Sequence, residues 1–258
     1  MELEINKLGV VFSVNIKDEI PKHADFWRYN YRHWEEETFR IFNRFLESTY
    51  DYLDIGAWIG PTVLYGSQKS KHVYAIEPNK MVYNELIENV RLNTMHSHKV
   101  TCINAALSPK SGSINLFLNS NNGDSMSSVL SSDSSIESYE IPAITINELA
   151  EQYNLDDVNF VKIDIEGAEY ELLPSLKSFF QKNKPTLYLS IHPPYLKKYL
   201  ENKADSNITD AFVNSTKRML DTLSSYKYIY NTNQELIMMD AIYEESNFNS
   251  YVFTDELW

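Results

Sequence analysis

The sequence predicts a doubly wound α/β domain with a mostly parallel sheet, and three observations carry that prediction. From residue 50 onward the chain alternates strand, turn and helix, the pattern of stacked βαβ units. The segment NFVKIDI (159–165) is near-continuously apolar at its centre, as a parallel strand covered on both faces must be. Two late strands in close succession, YKYIYN (226–231) and ELIMMD (235–240), predict an antiparallel strand at one edge.

The elements follow in order. Residues 1–48 form an N-terminal extension read as a strand plus a helix. VVFSVNI (10–16) alternates like a strand, and EEETFRIFNRFLES (35–48) spaces Phe39, Phe42 and Phe45 as an amphipathic helix does. Between them FWRYNYRHW (26–34) holds five Phe, Trp and Tyr residues in nine positions, which either pack on the sheet or serve as a substrate or lid segment. The main domain, 49–258, begins with strand 50–55, helix 61–68, strand 72–77, helix 79–93 and strand 99–107, with a short extra strand at 113–118. Residues 119–135 are too polar for a core and long enough for a mobile loop. Thr145 and Glu148 then form a capping box ahead of INELAEQYN. Strand 159–165 leads into helix 168–181, which carries Pro174. Strand 186–192, helix 207–224 and the final strands, the last at 250–254, complete the chain.

Composition narrows the function. The 258 residues carry 36 Asp+Glu against 23 Lys+Arg, a net charge of −13. A nucleic-acid partner is therefore disfavoured, because phosphate binding needs local cations. The single cysteine, Cys102, excludes a disulfide framework or a cysteine-based zinc site within one chain. No segment has the ~18 uninterrupted apolar residues of a membrane span, and the first residues lack signal-peptide charge. The expectation is a cytoplasmic protein.

Ligands of doubly wound sheets bind beyond the carboxyl ends of the strands, so the residues after each strand are the informative ones. Only seven glycines occur, and three fall between 56 and 66. Asp54-Ile-Gly56-Ala57-Trp58-Ile-Gly60 follows the first sheet strand. It is either a plain strand-to-helix turn or one whose backbone approaches a ligand. It is not G-x-G-x-x-G, which disfavours a nicotinamide dehydrogenase. Glu77-Pro78 lies 21 residues past Gly56, where an acidic side chain accepts hydrogen bonds from both ribose hydroxyls of an adenosine cofactor. Asn104-Ala-Ala leaves room for a flat ring, with adenine as one occupant and an overlying helix as the other. Asp164-Ile-Glu166 puts two carboxylates on one face, suited to a cationic ligand, a metal or proton abstraction. Glu169 is read as serving the following helix N-terminus. His192 precedes two prolines that keep it out of helix, and it is a candidate base.

Six stretches in this order resemble the FkbM family of class I S-adenosylmethionine-dependent methyltransferases: WEEETF (34–39), YLDIGAWIGPTVLYG (52–66), VYAIEPN (73–79), NAALS (104–108), VKIDIEGAEYELL (161–173) and SIHPPY (190–195). The resemblance implies a Rossmann-like, seven-stranded sheet and an S-adenosylmethionine site. It implies that Asp54, Gly56, Ala57, Trp58 and Gly60 face the methionine end of that cofactor. Glu77 would hold the ribose, Asn104 would lie near adenine and Asp164 beside the transferring methyl.

Transfer to oxygen is then the implied reaction, with a sugar hydroxyl as acceptor, in free or nucleotide-activated form, within surface-glycan or capsular polysaccharide biosynthesis. His192 is the best-matched base near neutral pH, with Asp164 or Glu166 as substitutes. The same three residues make a reasonable oxygen and nitrogen set for a divalent metal. Arg28 and Arg32, four apart, are candidate clamps for a diphosphate, and Tyr195 is a further candidate acceptor contact. A small-molecule O-methyltransferase acting on a secondary metabolite, and a non-catalytic cofactor-binding module, are the alternatives.

Overall fold

The computed structural model describes residues 1–16, 21–118, 137–203, 207–243 and 245–258. Strands β1 (Glu2–Lys7) and β2 (Val10–Asn15) pair as an antiparallel hairpin. Then come β3 (Asp51–Ile55), β4 (His72–Ile76), β5 (Val100–Ile103), β6 (Ala106–Leu107), β7 (Gly112–Phe117) and β8 (Ser138–Ile144). The last four are β9 (Val158–Ile163), β10 (Thr186–Ile191), β11 (Tyr228–Asn231) and β12 (Asn249–Thr254). Seven of them form the central sheet in the order β11-β12-β10-β9-β3-β4-β5, while β6, β8 and β7 make a small separate sheet. All central pairings are parallel except those of β12, which runs antiparallel to both β10 and β11. The antiparallel strand thus sits one place in from the edge.

The chain enters the sheet at its middle. It builds outward through β4 and β5, then returns to build the other side from β9, so the strand order reverses between β3 and β9. That switch point is where such sheets open a ligand crevice. Alternation sorts the side chains. Leu53, Ile55, Val161 and Ile163 pack with Leu149, Leu172 and Phe180 on one face. Tyr52, Val73 and Phe160 pack with Phe39, Phe42, Val63 and Leu86 on the other. The N-terminal hairpin joins this second face through Ile5, Phe12 and Val14, and the buried Asn89 bonds both Asn15 N–H (2.8 Å) and the Ile59 carbonyl (2.9 Å).

Local signals account for most boundaries. Asn79 caps helix Lys80–Leu92 and the Thr145/Glu148 box opens helix Ile146–Gln152. Pro174 breaks the expected 168–181 helix into α, 3-10 and α pieces. His192 is out of helix (φ −122°, ψ 63°), but Pro193 opens helix Pro193–Asn202, because a proline at the first helical position loses no hydrogen bond.

Three expectations are corrected. The extension holds two strands, since ELEINK pairs with VVFSVN. The expected strand 99–107 divides at Asn104, with β5 in the central sheet and β6 in the small one. ELIMMD (235–240) is not a strand. It makes one isolated bridge, Leu236 to Tyr230, with backbone bonds to β11 on either side (Asn231 N–H to Glu235 O, 3.0 Å; Ile237 N–H to Ile229 O, 2.8 Å), and its Leu236 and Met238 stand 62% and 75% exposed. The 119–135 segment lies outside the described residues. Among the described residues no helix is long and apolar enough to cross a membrane.

Candidate functional site

A buried lysine organises the switch point. On β9 Lys162 lies directly opposite Asp54 on β3, and the two are 3% and 0% exposed at the side chain. The Lys162 ammonium reaches Asp54 Oδ1 (3.4 Å), Asp164 Oδ2 (3.5 Å) and the Gly56 carbonyl (3.1 Å). Burial works to lower the Lys162 pKa, but Asp54 and Asp164 override it and hold the ammonium above its usual range. Asp54 Oδ2 also accepts from the Tyr52 hydroxyl (2.7 Å) and the Thr62 hydroxyl (2.6 Å). Asp54 is therefore fully engaged beneath the turn and lines neither cavity described below.

Above this pair the chain turns sharply. Gly56 has φ +90°, and a Cβ there would lie 1.9 Å from the Asp164 carbonyl oxygen. Only glycine lets the ends of β3 and β9 approach this closely, an approach also tied by Asp164 N–H to Ile55 O (3.0 Å). Gly60 (φ +97°) then opens helix Pro61–Gly66.

On one side of the turn is a narrow cavity lined by Gly56, Trp58, Glu77, Ala106, Asp164 and Glu166, among others. Glu77 is its polar feature. Its Oε2 accepts from Trp58 N–H (2.9 Å) and its Oε1 from Asn79 N–H (2.7 Å), which fixes the carboxylate and leaves each oxygen a further lone pair. Burial pushes Glu77 up to about 7, against the pull of those two N–H groups. Apolar walls come from Ile55, Ile76, Leu107 and Leu116. Asn104 does not line this cavity. Its amide donates to the carbonyls of Glu77 (2.9 Å) and Pro78 (3.0 Å) and so secures the turn that presents Glu77.

On the other side lies a wider cavity. Gly56, Trp58, Asp164 and Glu166 line both cavities. The wider one adds aromatic walls (Phe26, Trp34, Phe248), polar groups (Asn30, Ser190, Ser250) and the side chains of Glu35, Lys162 and His192. Of the six non-glycine residues described at positive φ, three line it: Glu35 (+43°), Trp58 (+46°) and Glu166 (+53°). Such strain persists where surroundings enforce it, and it clusters at functional sites.

His192 is held by three carboxylates. Its Nε2 lies 3.4 Å from Asp164 Oδ1 and 3.5 Å from Glu166 Oε2, and its Nδ1 lies 3.3 Å from Glu169 Oε1. Glu169 also accepts the backbone N–H groups of His192 (2.7 Å) and Gly167 (2.9 Å), so it orients the histidine rather than only serving the helix. Burial works to lower the His192 pKa, but Glu169 and Asp164 raise it well above the histidine range. Three carboxylates around the ring favour its protonated form, against the neutral base expected from the sequence. Burial would raise Asp164, but Lys162 and His192 hold it ionised, below the usual carboxylate range. Burial pushes Glu166 up to about 7, opposed by His192 and reinforced by Asp164. Two carboxyls two residues apart therefore titrate far apart, and of this pair Glu166 is the one able to take a proton near neutrality.

The remaining expected contacts are placed as follows. Ala57 lines the wider cavity and Gly60 lines neither. Arg28 and Arg32 are exposed and line neither cavity, so they form no clamp there. Tyr195 stacks on the His192 ring at 5.9 Å without lining the cavity. Asp164, Glu166 and His192 offer donor atoms within 4.8 Å of one another, the metal set considered from sequence, with the imidazolium already between the two carboxylates. Sequence reasoning missed Lys162, Glu35 and the Glu169 contact to His192. A lone lysine inside an apolar strand was the available signal for the first.

The sequence matches the methyltransferase FkbM domain over residues 54–230. The chain belongs to this family. The FkbM match begins at Asp54 and takes in Glu77, Lys162, Asp164, Glu166 and His192, while Trp34 and Glu35 precede it. No curated protein matches the chain. Among solved structures, the methyltransferase FkbM from Methylobacillus flagellatus KT is 17% identical with a TM-score of 0.49, covering 80% of this chain and 44% of that one. The chain therefore spans less than half the length of that FkbM protein. TYW2 from M. jannaschii in complex with AdoMet is 12% identical (TM-score 0.43; 97% of this chain, 83% of that one). A SAM-dependent O-methyltransferase from Thermotoga maritima is 9% identical (TM-score 0.42; 85% and 64%).

Proposed function

We propose that the protein transfers the methyl group of S-adenosylmethionine to a hydroxyl of a sugar, such as a unit of a surface glycan. The observation that carries this reading is the pair of cavities that meet at Gly56, Trp58, Asp164 and Glu166. The narrower one suits a nucleoside, with Glu77 for the ribose hydroxyls and the Ala106–Leu107 backbone beside a flat ring. The wider one suits a sugar, with aromatic faces for stacking and carboxylates that accept hydroxyl protons. Electrostatics supports a cationic donor. Glu35, Asp54, Glu77, Asp164, Glu166 and Glu169 surround only two cations, Lys162 and His192, among the described side chains of the site. A positively charged ligand relieves that imbalance most strongly where water is excluded.

When bound, the cofactor supplies an electrophilic methyl on a sulfonium. The protein's part is positioning and proton removal. Glu77 and the 56–58 turn fix the donor on one side of the shared wall, and the aromatic walls fix the acceptor on the other, so the displacement can be in line. Glu166 would take the hydroxyl proton as the oxygen–carbon bond forms and the methyl carbon–sulfur bond breaks, its electron pair leaving with sulfur as a neutral thioether. His192, held by Glu169, steadies the Asp164 and Glu166 carboxylates. With Arg28 and Arg32 outside the cavity, the reading keeps the sugar and sets aside the diphosphate grip.

Transfer from methyl-labelled cofactor to a panel of free sugars, methyl glycosides and nucleotide sugars tests this, with EDTA added in a parallel series. Label is expected on a sugar, at a rate that EDTA leaves unchanged, because the imidazolium already neutralises the Asp164–Glu166 pair. No labelled carbohydrate removes the sugar reading. A rate that collapses in EDTA and returns with Mg²⁺ assigns the three side chains to a metal.

A further inference from the structure

We propose that Glu35 is the residue that selects the acceptor, by accepting a hydrogen bond from a second hydroxyl of the sugar, and that Lys7 is the positioning residue that holds Glu35 in the cavity. The inference rests on the sugar-methylation reading above. Glu35 lines the wider cavity and lies in the WEEETF segment, ahead of the matched span 54–230.

Ordinary structural roles do not explain it. It stands at the N-cap position of helix Glu36–Phe45 but makes no side-chain cap bond. Its backbone is left-handed (φ 43°, ψ 52°), a conformation that disfavours a non-glycine residue. What fixes the side chain is a relay from the next turn. The Tyr188 hydroxyl lies 2.7 Å from Thr38 Oγ1, and Thr38 Oγ1 donates to Glu35 Oε2 (3.0 Å). With the Thr38 proton given to Glu35, the Tyr188 proton goes to Thr38. One carboxylate oxygen is thereby anchored, and Oε1 has no partner among the described residues. Glu35 is exposed where the cavity opens, so its free oxygen is reachable by a ligand hydroxyl, and desolvation together with the nearby Asp164 charge pushes its carboxyl up to about 7.

Lys7 explains why the loop holds this shape. It points inward from β1 and is 2% exposed. Its ammonium donates to the carbonyls of Tyr31 (3.1 Å), Arg32 (3.1 Å) and Trp34 (2.6 Å), which uses all three protons. It also lies over the Phe39 ring, 4.8 Å from the centroid. The turn that carries Trp34 and Glu35 to the cavity wall is stapled from behind by this one side chain.

The test uses the sugar that accepts label in the panel assay, together with its monodeoxy analogues. Glu35→Gln, nearly isosteric, is expected to raise the acceptor KM about 10- to 100-fold, the size of a lost bond to a charged acceptor. The kcat should stay within about threefold and cofactor affinity should not change. One deoxy analogue should cost the wild type the same factor and cost Glu35→Gln nothing further. Lys7→Met should raise KM for the same sugar while leaving cofactor affinity intact. An unchanged KM in Glu35→Gln overturns the inference while the sugar reading stands. A wild type that labels no sugar removes the sugar reading itself.

Discussion

Glu166→Gln is expected to slow methyl transfer by about 10²–10⁴-fold while leaving cofactor affinity within a few-fold, because it removes proton acceptance and little else. The wild-type pH profile of kcat should identify the same group when both cofactor and acceptor are saturating, so that the binding carboxylates Glu35 and Glu77, also pushed up to about 7, do not enter. Burial pushes the Glu166 carboxyl up to about 7, so the proton is retained until the pH reaches that value. The base form is lost as the pH falls below it. The rate should drop roughly tenfold per unit on the acid side of 7 and level off above, since each unit changes the unprotonated fraction tenfold. In Glu166→Gln that acid limb should disappear. His192 does not give this limb, because its proton is held through the neutral range by Glu169 and Asp164. Stopped-flow or quench assays across pH 5–9 on both proteins decide between the two residues.

Gly56→Ala should have the largest structural effect. The added carbon would meet the Asp164 carbonyl oxygen at 1.9 Å and the Ile165 side chain at 3.2 Å. Strain at positive φ costs about 1–3 kcal/mol, and forced overpacking adds about 1–3 kcal/mol. The backbone must therefore separate β3 from β9 at the point where the two cavities meet. A drop in melting temperature together with loss of methyl transfer is expected. Gly9→Ala is the control for the conformational part alone. Gly9 has nearly the same φ (+84°), but nothing lies within 4 Å of its added carbon. It should cost only the φ strain and leave transfer intact. Thermal melts and single-turnover assays on both variants check this, and equal effects of the two would contradict the close-approach argument.

The switch-point residues were legible in the sequence because one rule locates them. In a doubly wound sheet the chemistry sits just past each strand, and β3, β4, β9 and β10 announce themselves through apolar runs ending in Gly56, Glu77, Asp164 and His192. The protonation states were not legible. Whether His192 is a base or a fixed cation depends on Glu169 and Asp164, which lie 23 and 28 positions away and meet it only in the folded sheet. Lys162 was readable in principle, since a lysine in an apolar parallel strand needs buried carboxylates, and the register supplies Asp54 opposite it. Glu35 was not. In sequence it is one of three consecutive glutamates at a helix start, and only the Lys7 staple turns that one toward the cavity. ELIMMD misled because its pairing with β11 stops after a single bridge, and composition does not reveal where pairing stops.

The central claim is that Glu77 grips the ribose of a bound cofactor beside the Gly56 turn. Isothermal titration of S-adenosylmethionine and its demethylated product into wild type and Glu77→Gln tests it most directly. The account predicts one-to-one binding of both ligands by the wild type and a loss of about 10- to 100-fold in Glu77→Gln, the range for bonds to a charged acceptor. Folded wild-type protein that takes up neither ligand, or a Glu77→Gln protein that binds them equally well, would contradict it.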